Sequence, residues 1–113
     1  MDFDYEAFMD LTDGNVLTQR TIFLEYLNNL KLIELLKTYM LQGHRNNIYE
    51  LSLVLRDYSR TNCFHAIANL FEYIHEKYNV IQELDFGELF EELDYEYRNV
   101  VGIIRRLLLS GTH

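Results

Sequence analysis

Three groups of residues in this chain of 113 could do chemistry. Glu72-Tyr73-Ile74-His75 has the Glu-x-x-His spacing of di-iron helix bundles, which puts both side chains on one helical face, towards a metal. A centre of that kind needs a second copy and two further glutamates on facing helices. This chain has one copy, and Tyr73-Ile74 is ordinary helix filling. Cys63-Phe64-His65 offers a thiol and an imidazole, too close together for the usual zinc spacings. Side chains two apart at a helix start point away from each other, so the imidazole is not placed to activate the thiol. Glu91, Glu92 and Asp94 would matter as an acid/base pair if burial or proximity drove their pKa values apart; in so acidic a run they read as solvated. There is no Gly-x-Ser-x-Gly, no glycine-rich phosphate loop and no His-Glu-x-x-His. The sequence therefore reads as a non-enzyme, with no cofactor and no metal.

The elements that carry these residues are helices. Apolar residues return in steps of three and four, as a pitch of 3.6 residues requires. Leu32, Leu35, Leu36 and Tyr39 mark a helix over Leu30–Met40; Ile48, Leu51, Leu55 and Tyr58 mark Ile48–Tyr58. Phe64, Ile67, Leu70, Phe71 and Ile74 mark Phe64–Lys77, and Phe86, Leu89, Phe90 and Leu93 mark Phe86–Leu93. Before them, Asp2–Leu11 reads as a short amphipathic helix or, alternatively, a loose acidic arm. Thr18 is the expected cap of a helix from Gln19, bent at Asn28-Asn29, where asparagine competes for backbone hydrogen bonds. Gly43 supplies a left-handed stop. Asn47 with Glu50 begins the next helix, and Thr61 caps the one after. Residues 78–84 read as a loop or a short extended piece, with Asp85 capping the helix that follows. A last helix, Asp94–Leu109, carries Tyr97, Val100, Val101, Ile104, Leu107 and Leu108 on one side. Arg105 and Arg106 lie in its final turn, where cations favour the dipole.

Length and composition bound the class. One domain is expected over residues 1–113, with a core bundle of about 18–96 and a terminal helix of about 95–109. The fold class is all-α, a compact bundle of five to six helices. The chain is 49% apolar, has no proline and carries a net charge of −8. Phosphate backbones are bound through Lys and Arg, so nucleic acid is an unexpected partner, and an anionic membrane surface is disfavoured by the same sign. Acids without bases fill residues 2–13 and 83–96. They read as solvated helix faces or, more sharply, as an acidic rim that steers a basic partner. Cys63 is the single cysteine, no apolar run reaches the length of a membrane span, and no signal peptide is read. The expected location is the cytoplasm, with the nucleus as the alternative. Among the aromatics, Phe64, Phe71, Tyr39 and Tyr58 fall on core faces, whereas Tyr49 and Tyr73 fall off the stripes, as interface tyrosines do.

The run Leu32-Ile33-Glu34-Leu35-Leu36-Lys37-Thr38-Tyr39, then Ile48-Tyr49-Glu50-Leu51 with Leu55, resembles the harmonin-homology domain. So do Phe64, Ile67, Leu70, the closing Phe71-Glu72-Tyr73-Ile74 and Phe86-Gly87-Glu88-Leu89-Phe90. The resemblance covers roughly Tyr26 to Leu93. It implies a five-helix bundle, serving as an adaptor or scaffold module, that takes a short helical peptide in a groove.

The expected function is thus non-enzymatic protein–protein interaction. An amphipathic or basic helical segment of a partner would dock in a hydrophobic groove lined by Leu51, Leu55, Phe64, Ile67 and Phe71. Two rival readings use the same helices. One is a homotypic assembly domain of the death-fold type, in which the acidic run at 83–96 meets Arg98, Arg105 and Arg106 of a neighbour. The other is a structural homodimer with Val100, Val101, Ile104 and Leu108 as its seam.

Overall fold

The computed structural model describes residues 3–79 and 86–110. The fold is all-α. Six helices follow in order: α1 (Tyr5–Thr12), α2 (Val16–Leu30), α3 (Ile33–Gln42), α4 (Arg45–Thr61), α5 (His65–Lys77) and α6 (Phe86–Ser110). The bundle is elongated, 47 × 21 × 20 Å. Its long axis reflects α6, whose 25 residues span about 37 Å at 1.5 Å per residue.

Side chains start the first two helices. The Asp4 carboxylate accepts from Ala7 N at 3.0 Å, and the Asn15 side chain accepts from Thr18 N at 2.9 Å. Each satisfies a backbone donor that has no partner inside its helix. The cap of α2 is therefore Asn15; Thr18 lies in the first turn as the donor. The bend falls later than Asn28-Asn29, at Lys31-Leu32. Both residues remain in the right-handed region, and 3.0–3.2 Å bonds from Leu32 N to Asn29 O and Glu34 N to Lys31 O tighten the junction.

Three helices end by one device. A residue with a left-handed backbone closes each end, and its own amide and the next fold back to the last carbonyls. Gly43 (φ 71°) does this for α3, as expected, but Asp13 (φ 51°) does it for α1 and Cys63 (φ 67°) for α4. After α4, Cys63 N donates to Arg60 O and Phe64 N to Ser59 O, both at 2.9 Å. Thr61 is consequently the last residue of α4 and not the cap of α5; α4 itself starts at Arg45, two residues before Asn47. Neither α4 nor α5 has a side-chain hydrogen bond at its N-cap.

The helices expected at Phe86–Leu93 and Asp94–Leu109 are one uninterrupted helix. Leu89, Leu93, Val100, Ile103 and Ile104 lie on its buried side, so the apolar face runs through the junction and packs in cis on α2 and α5. Arg105 and Arg106 precede the last turn, which ends at Ser110. Residues 80–85, with the Asp85 cap, and Asp2 lie outside the described residues.

Two buried centres hold the bundle. One is an aromatic cluster at the N-terminal strap. Phe3 packs 4.5 Å from Phe64 and 5.5 Å from Phe8, Phe8 stacks on Phe23 at 4.4 Å, and Tyr26 stacks on Phe64 at 5.5 Å. Asp4 N donates to Cys63 O at 3.0 Å, tying the strap to the α4–α5 turn. The other centre is the α4–α5 hairpin, where Ser52, Ser59 and Ala68 are fully buried. Ser52 Oγ donates to Ile48 O at 2.6 Å, and Tyr26 O–H meets Ser59 Oγ at 2.7 Å across to α2. Arg60 and Arg56 clasp Glu72 at 2.6 and 3.6 Å, and Lys37 joins α3 to α6 through Asp94 while lying over the Phe90 ring.

Candidate docking surface

Two of the chemistry-capable residues, Glu72 and His75, are engaged in structural contacts. Glu72 is the carboxylate clasped by Arg56 and Arg60. His75 places Nδ1 2.9 Å from Tyr49 O, and the two rings lie 4.1 Å apart. Cys63 is buried and His65 exposed, so thiol and imidazole diverge. Burial pushes the Cys63 thiol above its ordinary value of 9.0, and the Asp4 carboxylate adds to the shift. Glu91, Glu92 and Asp94 are exposed. Among the described residues, no three of His, Cys, Asp and Glu come together as a metal site, and no helix is long and apolar enough to cross a membrane.

The residues expected to line a groove are mostly core. Leu55, Phe64, Ile67 and Phe71 each have 0% exposure. A partner cannot reach them without opening the bundle. The reason is geometric: α4 and α5 pack with these stripes facing inward, and Phe64 is the hub of the aromatic cluster. Leu51 alone is half-buried. It lines a shallow dip of about 270 Å³ between α3 and α4, with Leu35, Tyr39, Asn47, Glu50 and Val54. Tyr58, expected on a core face, is exposed beside Val54 on the outer side of α4, whereas Tyr49 and Tyr73 are exposed as their spacing implied. In the seam proposed for a homodimer, Val100 and Ile104 are buried within their own bundle, and Val101 and Leu108 are half-buried.

The larger open depression, about 1120 Å³, lies between α5 and the first half of α6. Its α5 wall is Ala66, Asn69 and Leu70, three positions on one helical face, with Tyr73 a turn further on in an adjoining recess that reaches the buried Leu89. The α6 wall carries Glu88, Glu91, Glu92 and Tyr95, closed at one end by Arg98. Tyr73 and Tyr95 are 49% and 58% exposed. The floor is apolar, the rim is acidic, and two amphipathic rings stand at its edges. Two signals for it were present in the sequence: the base-free acidic run and the off-stripe Tyr73. The small outer face of α5 at Ala66 and Asn69 gave no signal, because a stripe search follows large apolar residues. No family model, curated protein or solved structure matches this chain.

Proposed function

We propose that this protein is a non-catalytic interaction module whose α5–α6 depression docks a basic amphipathic helix. The carrying observation is the composition of the depression and its adjoining recess: Leu70 shared by both, Leu89 and Tyr73 in the recess, Tyr95 at the depression's edge, and Glu88, Glu91 and Glu92 along one wall. Apolar burial would supply the affinity, and the carboxylates would select a cationic partner and fix its register. The dip between α3 and α4 is a quarter of the size and holds Glu50 as its one charge, so it offers less to select a partner. The reading rests on the depression and not on the resemblance to the harmonin-homology domain.

The test is fluorescence anisotropy with a labelled Lys/Leu amphipathic peptide, against a Glu/Leu peptide of the same pattern. Glu88→Lys/Glu92→Lys should weaken binding of the Lys/Leu peptide at least tenfold, while Glu6→Lys/Glu25→Lys, which changes net charge equally elsewhere, should change it less than twofold. Equal loss in both variants would reduce the binding to bulk charge and overturn the proposal.

A further inference from the structure

Along the outward side of α6, Glu88, Glu91, Tyr95, Arg98, Gly102, Arg106 and Leu109 follow in steps of three and four, opposite the buried face. Apart from Arg98 at its centre, this stripe is acidic in its first half and basic in its second. The helix is rigid, and fourteen residues separate Glu91-Glu92 from Arg105-Arg106. That is about 21 Å at 1.5 Å per residue, beyond the roughly 8–10 Å over which exposed charges act at physiological salt. The two halves therefore cannot neutralise one another within one chain. Turned end for end, however, they match. A two-fold axis between Arg98 and Asn99 sets the Glu91-Glu92 pair at the level of the Arg105-Arg106 pair, and Tyr95 at the level of Gly102, of a second copy, with Arg98 beside its own counterpart.

Gly102 is the independent sign. Glycine inside a helix costs about 1 kcal/mol against alanine. Here a Cβ would meet nothing within 4 Å, and no positive φ calls for glycine. The bundle itself gives no reason for it. Opposite an exposed tyrosine on a facing helix, the missing side chain makes room for the ring and lets the backbones approach.

We infer that two copies of this chain pair antiparallel through α6, the second half of each α6 lying against the acidic wall of the other's α5–α6 depression. The inference rests on the docking role proposed above and narrows it: a second copy supplies the cationic outer face of α6, since the apolar face of that helix stays packed in its own bundle. Such an interface is isologous, so it closes at two chains. The stripe offers roughly 400 Å² per copy, a face about 37 Å long and some 10 Å wide, about half the usual area per partner. The dimer should accordingly form and dissociate with concentration.

Sedimentation equilibrium of the full chain over a wide concentration range should show the mass rising towards two chains and no further. Glu91→Arg/Glu92→Arg and Arg105→Glu/Arg106→Glu should each be monomeric, with unchanged circular dichroism. Mixed in equal amounts, they should dimerise again, because each half then faces its opposite. Gly102→Leu should weaken the dimer at least tenfold and Gly102→Ala far less. A parent chain that stays monomeric at the highest concentration, masses growing beyond two chains, or a mixture that stays monomeric would each overturn the inference. Lys/Leu peptide binding separates the two claims. A monomeric parent that still binds the peptide through Glu88 and Glu92 loses the dimer alone; one that binds neither loses both.

Discussion

Removing the rings of Phe3 and Phe64, singly and together, tests whether the N-terminal strap is seated as described. Phe64 is fully buried between helices that stay in place when it is truncated, so Phe64→Ala should cost the full 3–5 kcal/mol of a core phenylalanine. Phe3 is almost as buried, but it sits two residues before the first helix. When its ring is lost the strap frays and recovers about 1–2 kcal/mol of backbone entropy per residue released. Phe3→Ala should then cost only about 1–2 kcal/mol net. The rings are 4.5 Å apart, so the two losses should not add. Once Phe64 is gone, Phe3 has lost its closest neighbour, and a coupling of about 1 kcal/mol is expected. The assay is urea denaturation followed by circular dichroism, with each variant's slope compared with the parent's. If Phe3→Ala costs nothing and the cycle closes to within about 0.3 kcal/mol, the strap is not packed on the cluster and the α4–α5 turn lacks its cover.

Three further outcomes follow from buried polar and strained groups. Tyr26→Phe should cost about 1–3 kcal/mol, because Ser59 Oγ loses its 2.7 Å partner in the core; Tyr26→Phe/Ser59→Ala should recover part of that loss, as measured by the same denaturation. Cys63→Gly should leave stability within about 1 kcal/mol of the parent, since relief of about 1–2 kcal/mol at a left-handed residue offsets the lost thiol burial. Cys63→Val, β-branched at that backbone, should cost more than about 2 kcal/mol, and equal costs would remove the strain argument. The folded thiol keeps its proton above the 9.0 at which the unfolded thiol ionises, so its contribution is complete below pH 9 and fades as pH rises through the folded value. Thermal melts from pH 8 to 10.5 should fall more steeply for the parent than for Cys63→Ala.

Much of the fold was legible because helices advertise themselves by spacing. Ile48, Leu55, Ile67, Phe71 and Ile74 mark inward faces, and Gly43 marks a stop by being glycine. The turn at Asp13-Gly14-Asn15 is also legible from its residue types, since aspartate tolerates a left-handed backbone; the same stop built on Cys63 was invisible, because nothing in a cysteine announces one. Asn28-Asn29 looked like the weak point, yet the packing of Leu30 and Ile33 moved the bend to Lys31-Leu32. The helices expected at Phe86–Leu93 and Asp94–Leu109 are a single helix: Glu88, Glu91, Glu92 and Asp94 are on the outside, and the apolar face passes beneath them. The residues that line the depression were the hardest to read. Periodicity separates an inward face from an outward one, but it cannot say whether an inward face meets another helix or an open groove. Phe64 and Ile67 meet helices, so the depression came to lie one face further round α5, at Ala66, Asn69 and Leu70.

The bend between α2 and α3 carries a liability. Neither Lys31 nor Leu32 leaves the right-handed region, and the ψ of Leu32, −7°, is only about 35° from its value in a continuous helix. Neither residue is a proline or a glycine, so the bend is held by tertiary packing and by the two short-range hydrogen bonds at the junction. A chain that loses that packing, as on refolding from concentrated denaturant, is free to straighten into one long rod. The strap, α1 and α2 would then complete a neighbour's bundle in place of their own, as swapped protomers do. Interlocked species of that origin would survive dilution, and a gel-filtration peak that persists at low concentration is how they would be recognised.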